Sequence, residues 1–220
     1  MTTNQKALNI TTWIVAGLAI SVGGFRIYQH ATVQTNASRS EPTSVEDFRR
    51  LAEFGHRDGP PNALVTIVEF ADFECPYCQQ AHGVLKDLRR EFPNDLAIVF
   101  RHFPVPRHQF AMTAAIASEC AASAGQFAAF HDLLFLTPDS IGVKSWDQFG
   151  LEAGIHELDE FRACVRDSTT LALVQRDQRA AAELRVSGTP TFLINDLKIE
   201  GFPGRERLFE YVREALEAYE

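Results

Sequence analysis

In the run Val65-Thr66-Ile67-Val68-Glu69-Phe70-Ala71-Asp72-Phe73-Glu74-Cys75-Pro76-Tyr77-Cys78, a strand gives way to a helix across two cysteines. The upstream part, from Ala63 to Phe70, is rich in β-branched residues and reads as a buried strand. From Pro76 the period changes, and Ala81, Val84, Leu85 and Leu88 recur at helical spacing as far as about Glu91. Proline suits the first helical position, because its missing N–H is one the helix leaves unbonded anyway. Cys75 then falls at the N-cap, where free backbone N–H groups and the positive helix end face its sulfur. A thiolate is favoured there, so the Cys75 pKa is expected at about 4–6, below the ordinary value of about 8.5. Cys78 follows one turn later and is more shielded, with Cα atoms roughly 5–6 Å apart, inside disulfide range. One sulfur is set to attack and the other to release.

Working outward, Pro93-Asn94-Asp95 turns the chain into a second strand, Leu96 to Phe100. Strand, helix and strand form a βαβ unit, whose crossover is right-handed. From His108 to Arg185 the pattern is helical and rich in Ala, broken near Thr137-Pro138 and between Gly150 and Gly154. Thr191 to Ile194 reads as a third strand, and Asn195-Asp196 turns into a fourth, Leu197 to Glu200. Gly204 leads into a closing amphipathic helix through Leu208, Tyr211, Val212 and Leu216. The Phe-rich run from Phe127 to Phe135 reads as helical core, with His131 at its surface or end.

Toward the N-terminus, Lys6 precedes an uncharged stretch from Ala7 to Phe25. As a helix it would span roughly 28 Å, close to the hydrocarbon thickness of a bilayer. A membrane anchor over residues 1–28 is the leading expectation. A cleaved signal peptide, with Ala19-Ile20-Ser21 as its small-x-small site, is the alternative, and a soluble helix the bland reading. Either of the first two puts the remainder outside the cytoplasm. Residues 29–62 read as a linker, with Ser44 and Asp47 capping a short helix through Phe48, Leu51 and Phe54, and Asp58-Gly59-Pro60-Pro61 as a breaker. The domain proper is expected over 63–220. Net charge is −8 and the basic residues are scattered, so nucleic acid is not expected as a partner.

The dithiol has two bland alternatives. A C-x-x-C pair can be half of a zinc site, and His82 lies one turn beyond Cys78, but no second C-x-x-C exists to complete four ligands. An inert structural bridge is also disfavoured, since so short a loop constrains the unfolded chain little. A redox dithiol is the expectation, with no metal site and no organic cofactor. In Ser187-Gly188-Thr189-Pro190-Thr191 a proline opens a strand, where it donates nothing to the ladder. Held cis, Pro190 would leave the Thr189 backbone open to a substrate chain; the alternative is an ordinary trans turn. Glu69 sits in an otherwise apolar strand. Buried, it would have a raised pKa and could shuttle protons for Cys78; the alternative is a solvent-facing edge residue.

These residues, together with Phe100-Arg101-His102-Phe103-Pro104, His108, Glu119-Cys120-Ala121 and Gly188-Thr189-Pro190-Thr191-Phe192, resemble the DsbA-like thioredoxin-fold proteins over roughly residues 60 to 219. The resemblance implies an α/β thioredoxin fold, βαβ…ββα, with a helical domain inserted at about 106–185. It implies Cys75 as nucleophile, Cys78 as resolving thiol, Pro190 as the cis-proline, and Glu69 at the position of the family's buried acid. The implied activity is extracytoplasmic oxidation of reduced exported proteins, with a quinone-linked membrane partner as reoxidant. A reductase or isomerase of the same fold, and a thioredoxin-fold chaperone or binding module, are the rivals. The resemblance also favours a second, structural disulfide between Cys120 and Cys164, against two independent buried thiols. His82, His102 and His108 read as helix-face or packing residues.

Overall fold

The computed structural model describes residues 42–45 and 48–218. The anchor or signal expected over 1–28, the linker up to residue 41 and the Asp47 cap lie outside the described residues. Among those described, no helix is long and apolar enough to cross a membrane.

The β-branched run forms β3 (Val65–Ala71), every residue of it buried. A strand hidden on both faces needs no polar alternation, which is why the sequence there is apolar on both faces apart from Thr66 and Glu69. α2 (Pro76–Glu91) crosses over to β4 (Leu96–His102), which pairs parallel with β3 from Val65↔Leu96 to Ala71↔His102. On the other side of β3 lies β5 (Thr191–Ile194), antiparallel, with Glu69 opposite Phe192. Asn195 and Asp196 fold β5 back into β6 (Leu197–Glu200), and Asn195 takes the left-handed φ of 51° that a tight hairpin turn demands. α8 (Arg205–Glu217) closes the unit.

Two short edge strands complete the sheet. β1 (Thr43–Ser44) pairs with β6, and β2 (His56–Asp58) pairs with β4, giving the order β1-β6-β5-β3-β4-β2. Both correct the sequence reading. Ser44 is not a helix cap: it lies opposite Leu197, and its Oγ donates to Asp196 Oδ2 at 3.2 Å. Its helix, α1, is only Phe48–Ala52. Residues 56–58, read as linker running into a breaker, are recruited by the open edge of β4. Neither strand carries a periodic apolar pattern, because an edge hydrogen-bonds through its backbone whatever its side chains.

Between β4 and β5 stand α3 (Ala111–Ser123), α4 (Phe127–Leu136), α5 (Trp146–Glu152), α6 (Leu158–Arg166) and α7 (Ser168–Glu183). This is the expected α/β thioredoxin fold with its helical insertion. One face of the sheet, through Val65, Ile67, Leu96 and Phe192, packs on α2 and α8. The other, through Val68, Phe70, Val99 and Leu193, packs on α1 and α7. Phe130, Leu134, Phe149 and Phe161 fill the insertion, in a core continuous with Phe73, Cys75 and Cys78.

A disulfide and a buried ion pair help to hold the insertion. Cys120 in α3 is joined to Cys164 in α6, with Sγ atoms 2.04 Å and Cα atoms 5.7 Å apart. Arg101, 1% exposed, donates to Asp177 Oδ1 on α7 through Nε at 3.0 Å and through a terminal nitrogen at 2.8 Å. Asp177 Oδ2 accepts the backbone N–H of His102, so both oxygens are engaged. Such a pair adds little net stability over an apolar substitute, yet removing one member typically costs about 3–5 kcal/mol.

Candidate active site

Cys75 caps α2 with extended backbone angles, φ −81° and ψ 119°, followed by Pro76 at the first helical position. Its carbonyl accepts the first helical bond, from Gln79 N at 3.1 Å. Its side chain caps nothing, so the sulfur is left to face the N–H groups of the first turn. Both Cys75 and Cys78 are buried and free of any disulfide. Beside them Tyr77 is exposed.

The two sulfurs are electrostatically unequal. The Cys75 pKa falls to about 5, chiefly because the Cys78 thiol donates a hydrogen bond to the thiolate. Burial opposes this, but the backbone N–H groups of Cys78 and Tyr77 add to it. Burial pushes Cys78 well above its ordinary value, and the negative charges on Cys75 and Glu69 push it further. One helical turn thus separates a thiolate from a protonated thiol at neutral pH.

The loop between α7 and β5 brings in the second component. Thr189–Pro190 is a cis peptide, and the Cys75 sulfur lies 3.3 Å from the Thr189 carbonyl oxygen. Thr189 Oγ1 is buried without a hydrogen-bond partner. Glu69 comes from β3. Alternation along the strand puts it on the face of Val65 and Ile67, beneath α2 and Cys78. It is 3% exposed and its Oε1 has no hydrogen-bond partner. Burial, and secondarily the Cys75 charge, raise its pKa to about 8. The solvent-facing alternative for Glu69 therefore does not describe its position.

A carboxyl whose folded pKa lies above its unfolded one stabilises the fold below the unfolded pKa, and that stability is lost as pH rises through the folded value. In the oxidised protein, where the Cys75 charge is absent and burial alone raises the carboxyl, stability is expected to fall as pH rises above about 4.5. Glu69→Gln abolishes that slope. Denaturant titrations at several pH values check it, and parallel curves for the two proteins would contradict it.

Two acids that sequence reasoning did not single out fix the active-site loop. Buried Asp72 accepts Glu74 N at 2.8 Å through Oδ1. Through Oδ2 it accepts Val105 N at 2.7 Å and lies 2.8 Å from His108 Nδ1. Glu74 accepts the backbone N–H of Phe110. His108 is thus a loop-positioning residue. The only sequence hint was a pair of acids flanking Phe73, just before the dithiol.

Histidines gather beside the site. His131, expected at the surface, packs edge-on against Phe73, Phe100 and Phe135, with Nδ1 3.2 Å from Asp132. The aromatic run folds its ring into the junction between sheet and insertion. His82 is buried, and burial together with the neighbouring His131 lowers its pKa to about 4. His56, His82, His131 and Glu69 all line one cavity under α2 and α4. His102 and His56 flank Glu119; burial favours the neutral acid, but the two imidazoles outweigh it and hold the carboxyl below the usual range.

A family model described as thioredoxin matches residues 52–214. Among solved structures, a thioredoxin-like oxidoreductase from Silicibacter pomeroyi superposes with a TM-score of 0.63 at 26% identity, over 74% of this chain and 92% of that one. BdbD from Bacillus subtilis, in its oxidised form, superposes with a TM-score of 0.68 at 20% identity, over 81% of this chain and 100% of that one. Among curated proteins, a Na(+)/H(+) antiporter NhaA 3 from Salinispora tropica is 33% identical over 194 residues. That match takes in 88% of this chain but 29% of the antiporter, so the chain spans under a third of that relative's length.

Proposed function

This chain belongs to the thioredoxin family, and from that premise we propose that it is an extracytoplasmic dithiol oxidase, donating the Cys75–Cys78 disulfide to reduced exported proteins. The observation that carries the reading is the inequality of the two sulfurs, with Cys75 near pKa 5 and Cys78 well above its ordinary value. Stabilising the reduced Cys75 thiolate makes the disulfide the more ready electron acceptor.

A substrate thiolate attacks Cys75 Sγ, the Cys75–Cys78 bond breaks, and Cys78 leaves with the electron pair. Cys78, with its high pKa, takes up a proton, which Glu69 would supply, being itself protonated at neutral pH. A second substrate thiolate then attacks the mixed disulfide and expels Cys75 as a stable thiolate. The substrate has lost two electrons and the chain has gained them. A quinone-linked membrane partner would take them on. The Thr189 carbonyl, 3.3 Å from the attacked sulfur, is the edge on which an extended substrate would lie.

The Cys120–Cys164 bond favours an oxidising compartment, and residues 7–28 would supply the anchor if uncleaved. The test is stoichiometric oxidation of a reduced, unfolded protein by the oxidised chain without glutathione. One substrate disulfide per chain, with Cys75 and Cys78 recovered as thiols, is expected. No transfer, with folding assistance retained, would leave only a binding module.

A further inference from the structure

We propose that His56, His102 and Glu119 form a binding site for one divalent metal ion of the zinc class, clamping the helical insertion to the edge of the sheet. The three residues come from separate elements: β2, the last position of β4, and α3. Glu119 Oε1 lies 3.0 Å from His56 Nε2 and 3.0 Å from His102 Nε2, and the three donor atoms all fall within 4.8 Å of one another. Ligands sharing a tetrahedral zinc ion at about 2.0–2.2 Å sit roughly 3.3–3.5 Å apart. Shifts of a few tenths of an ångström would therefore admit the ion. Two imidazoles and a carboxylate are the donors of a familiar zinc set, with a fourth position left for water.

Hydrogen bonding alone leaves this cluster incomplete. His56 Nε2 is hydrogen-bonded to Glu119. His102 Nε2 is buried and lies 3.0 Å from the same carboxylate oxygen, an ion-pair distance, without the alignment of a hydrogen bond to it or to any other group. His102 is only 1% exposed, so water does not compensate. A buried polar atom without a partner calls for a cause, and an ion between the three groups would engage all of them. The surroundings are those of a tight site. Phe127 stacks on His56 with ring centroids 3.4 Å apart, and Phe100 stands edge-on to His102. Apolar walls fix the ring orientations and keep water from competing. His56, one-fifth exposed, lines the cavity and gives the ion a way in.

The neighbouring cluster of His82, His131 and Asp132 is the weaker candidate. Lys86 Nζ already sits 2.9 Å from Asp132 Oδ2 and occupies the carboxylate with a cation of its own. His102 pairs with Ala71, four residues before Cys75, and its ring lies 6.1 Å from that of Phe73 in the active-site loop. An ion there would brace the wall behind the active-site loop.

Thiolates bind zinc as well, so the test uses the full-length chain with Cys75 and Cys78 oxidised. Zn²⁺ is titrated calorimetrically and Co²⁺ by its visible absorption. One His56-dependent equivalent is expected, with a Co²⁺ spectrum lacking the strong sulfur-to-metal band. Affinity should fall at least tenfold in Glu119→Gln and in His56→Ala, and less than twofold in His131→Ala. Should Glu119→Gln fail to fold, His56→Ala on its edge strand carries the comparison. No binding at 100 µM Zn²⁺, or binding lost with His131→Ala and kept with His56→Ala, would overturn the proposal.

Discussion

Replacing Cys78 by Ser will leave the chain bound to its substrates through Cys75, with mixed disulfides rising from a trace to the main thiol-linked species. The expectation follows from the geometry of α2. Cys75 holds the cap, with a thiolate maintained by the first-turn N–H groups, while Cys78 is buried one turn below. Only Cys78 is placed to attack a mixed disulfide at Cys75 from within the chain, so serine there removes the internal escape route. Cys75→Ser is expected to lower exchange on the order of 10³-fold or more, as loss of a nucleophile does, and to trap nothing. Non-reducing gels would tell the two variants apart once each has first been charged with oxidised glutathione and then given reduced proteins, whose thiolates displace glutathione from the cysteine that remains. Trapping by Cys75→Ser and not by Cys78→Ser would invert the assigned roles.

The second large effect is in pH. With Cys75 near pKa 5, its alkylation rate is expected to stay flat from about pH 8 to pH 6 and halve near pH 5. An ordinary thiol at pH 6 is only about 0.3% thiolate. The same titration bears on stability. A group whose folded pKa is depressed stabilises the fold above its unfolded pKa, and that contribution is lost as pH falls through the folded value. At 1.36 kcal/mol per unit, a drop to about 5 gives the reduced form about 3 kcal/mol at pH 7, nearly all of which is gone by pH 5. The oxidised form has no such contribution. The stability of the reduced form relative to the oxidised is therefore expected to shrink by about 2 kcal/mol between pH 7 and pH 5. A difference independent of pH would mean that Cys75 is no unusual thiol. In Cys78→Ala the alkylation midpoint should move upward, since the Cys78 thiol is the largest single support of the thiolate.

Much of this was legible in the residues, for reasons that are local. α2, β5 and β6 run over Pro76–Glu91, Thr191–Ile194 and Leu197–Glu200, the limits that proline placement, β-branching and the Asn195-Asp196 turn announce. Glu69 drew notice because one charge inside an apolar strand is an anomaly visible without a structure. The edge strands were not legible: Thr43–Ser44 and His56–Asp58 exist because β6 and β4 offer unpaired edges, and their own side chains carry no pattern. Nor was the support of the loop. Asp72 meets Val105 and His108 across more than thirty residues of chain, with |i−j| of 33 and 36. His56, His102 and Glu119 likewise meet only when β2, β4 and α3 are folded together. Long-range polar contacts have no period and no spacing, so the sequence holds their residues without indicating their partners.

The equilibrium potential of the Cys75–Cys78 pair, measured in glutathione buffers at pH 7 by the alkylation state of the dithiol, separates an oxidase from a reductase. A Cys75 pKa near 5, against about 7 for thioredoxin, favours the reduced form by roughly 2 kcal/mol more at pH 7, or about 50 mV for two electrons. The predicted potential is therefore about −220 mV or higher. A value at or below thioredoxin's roughly −270 mV would contradict the oxidase and make the chain a reductase.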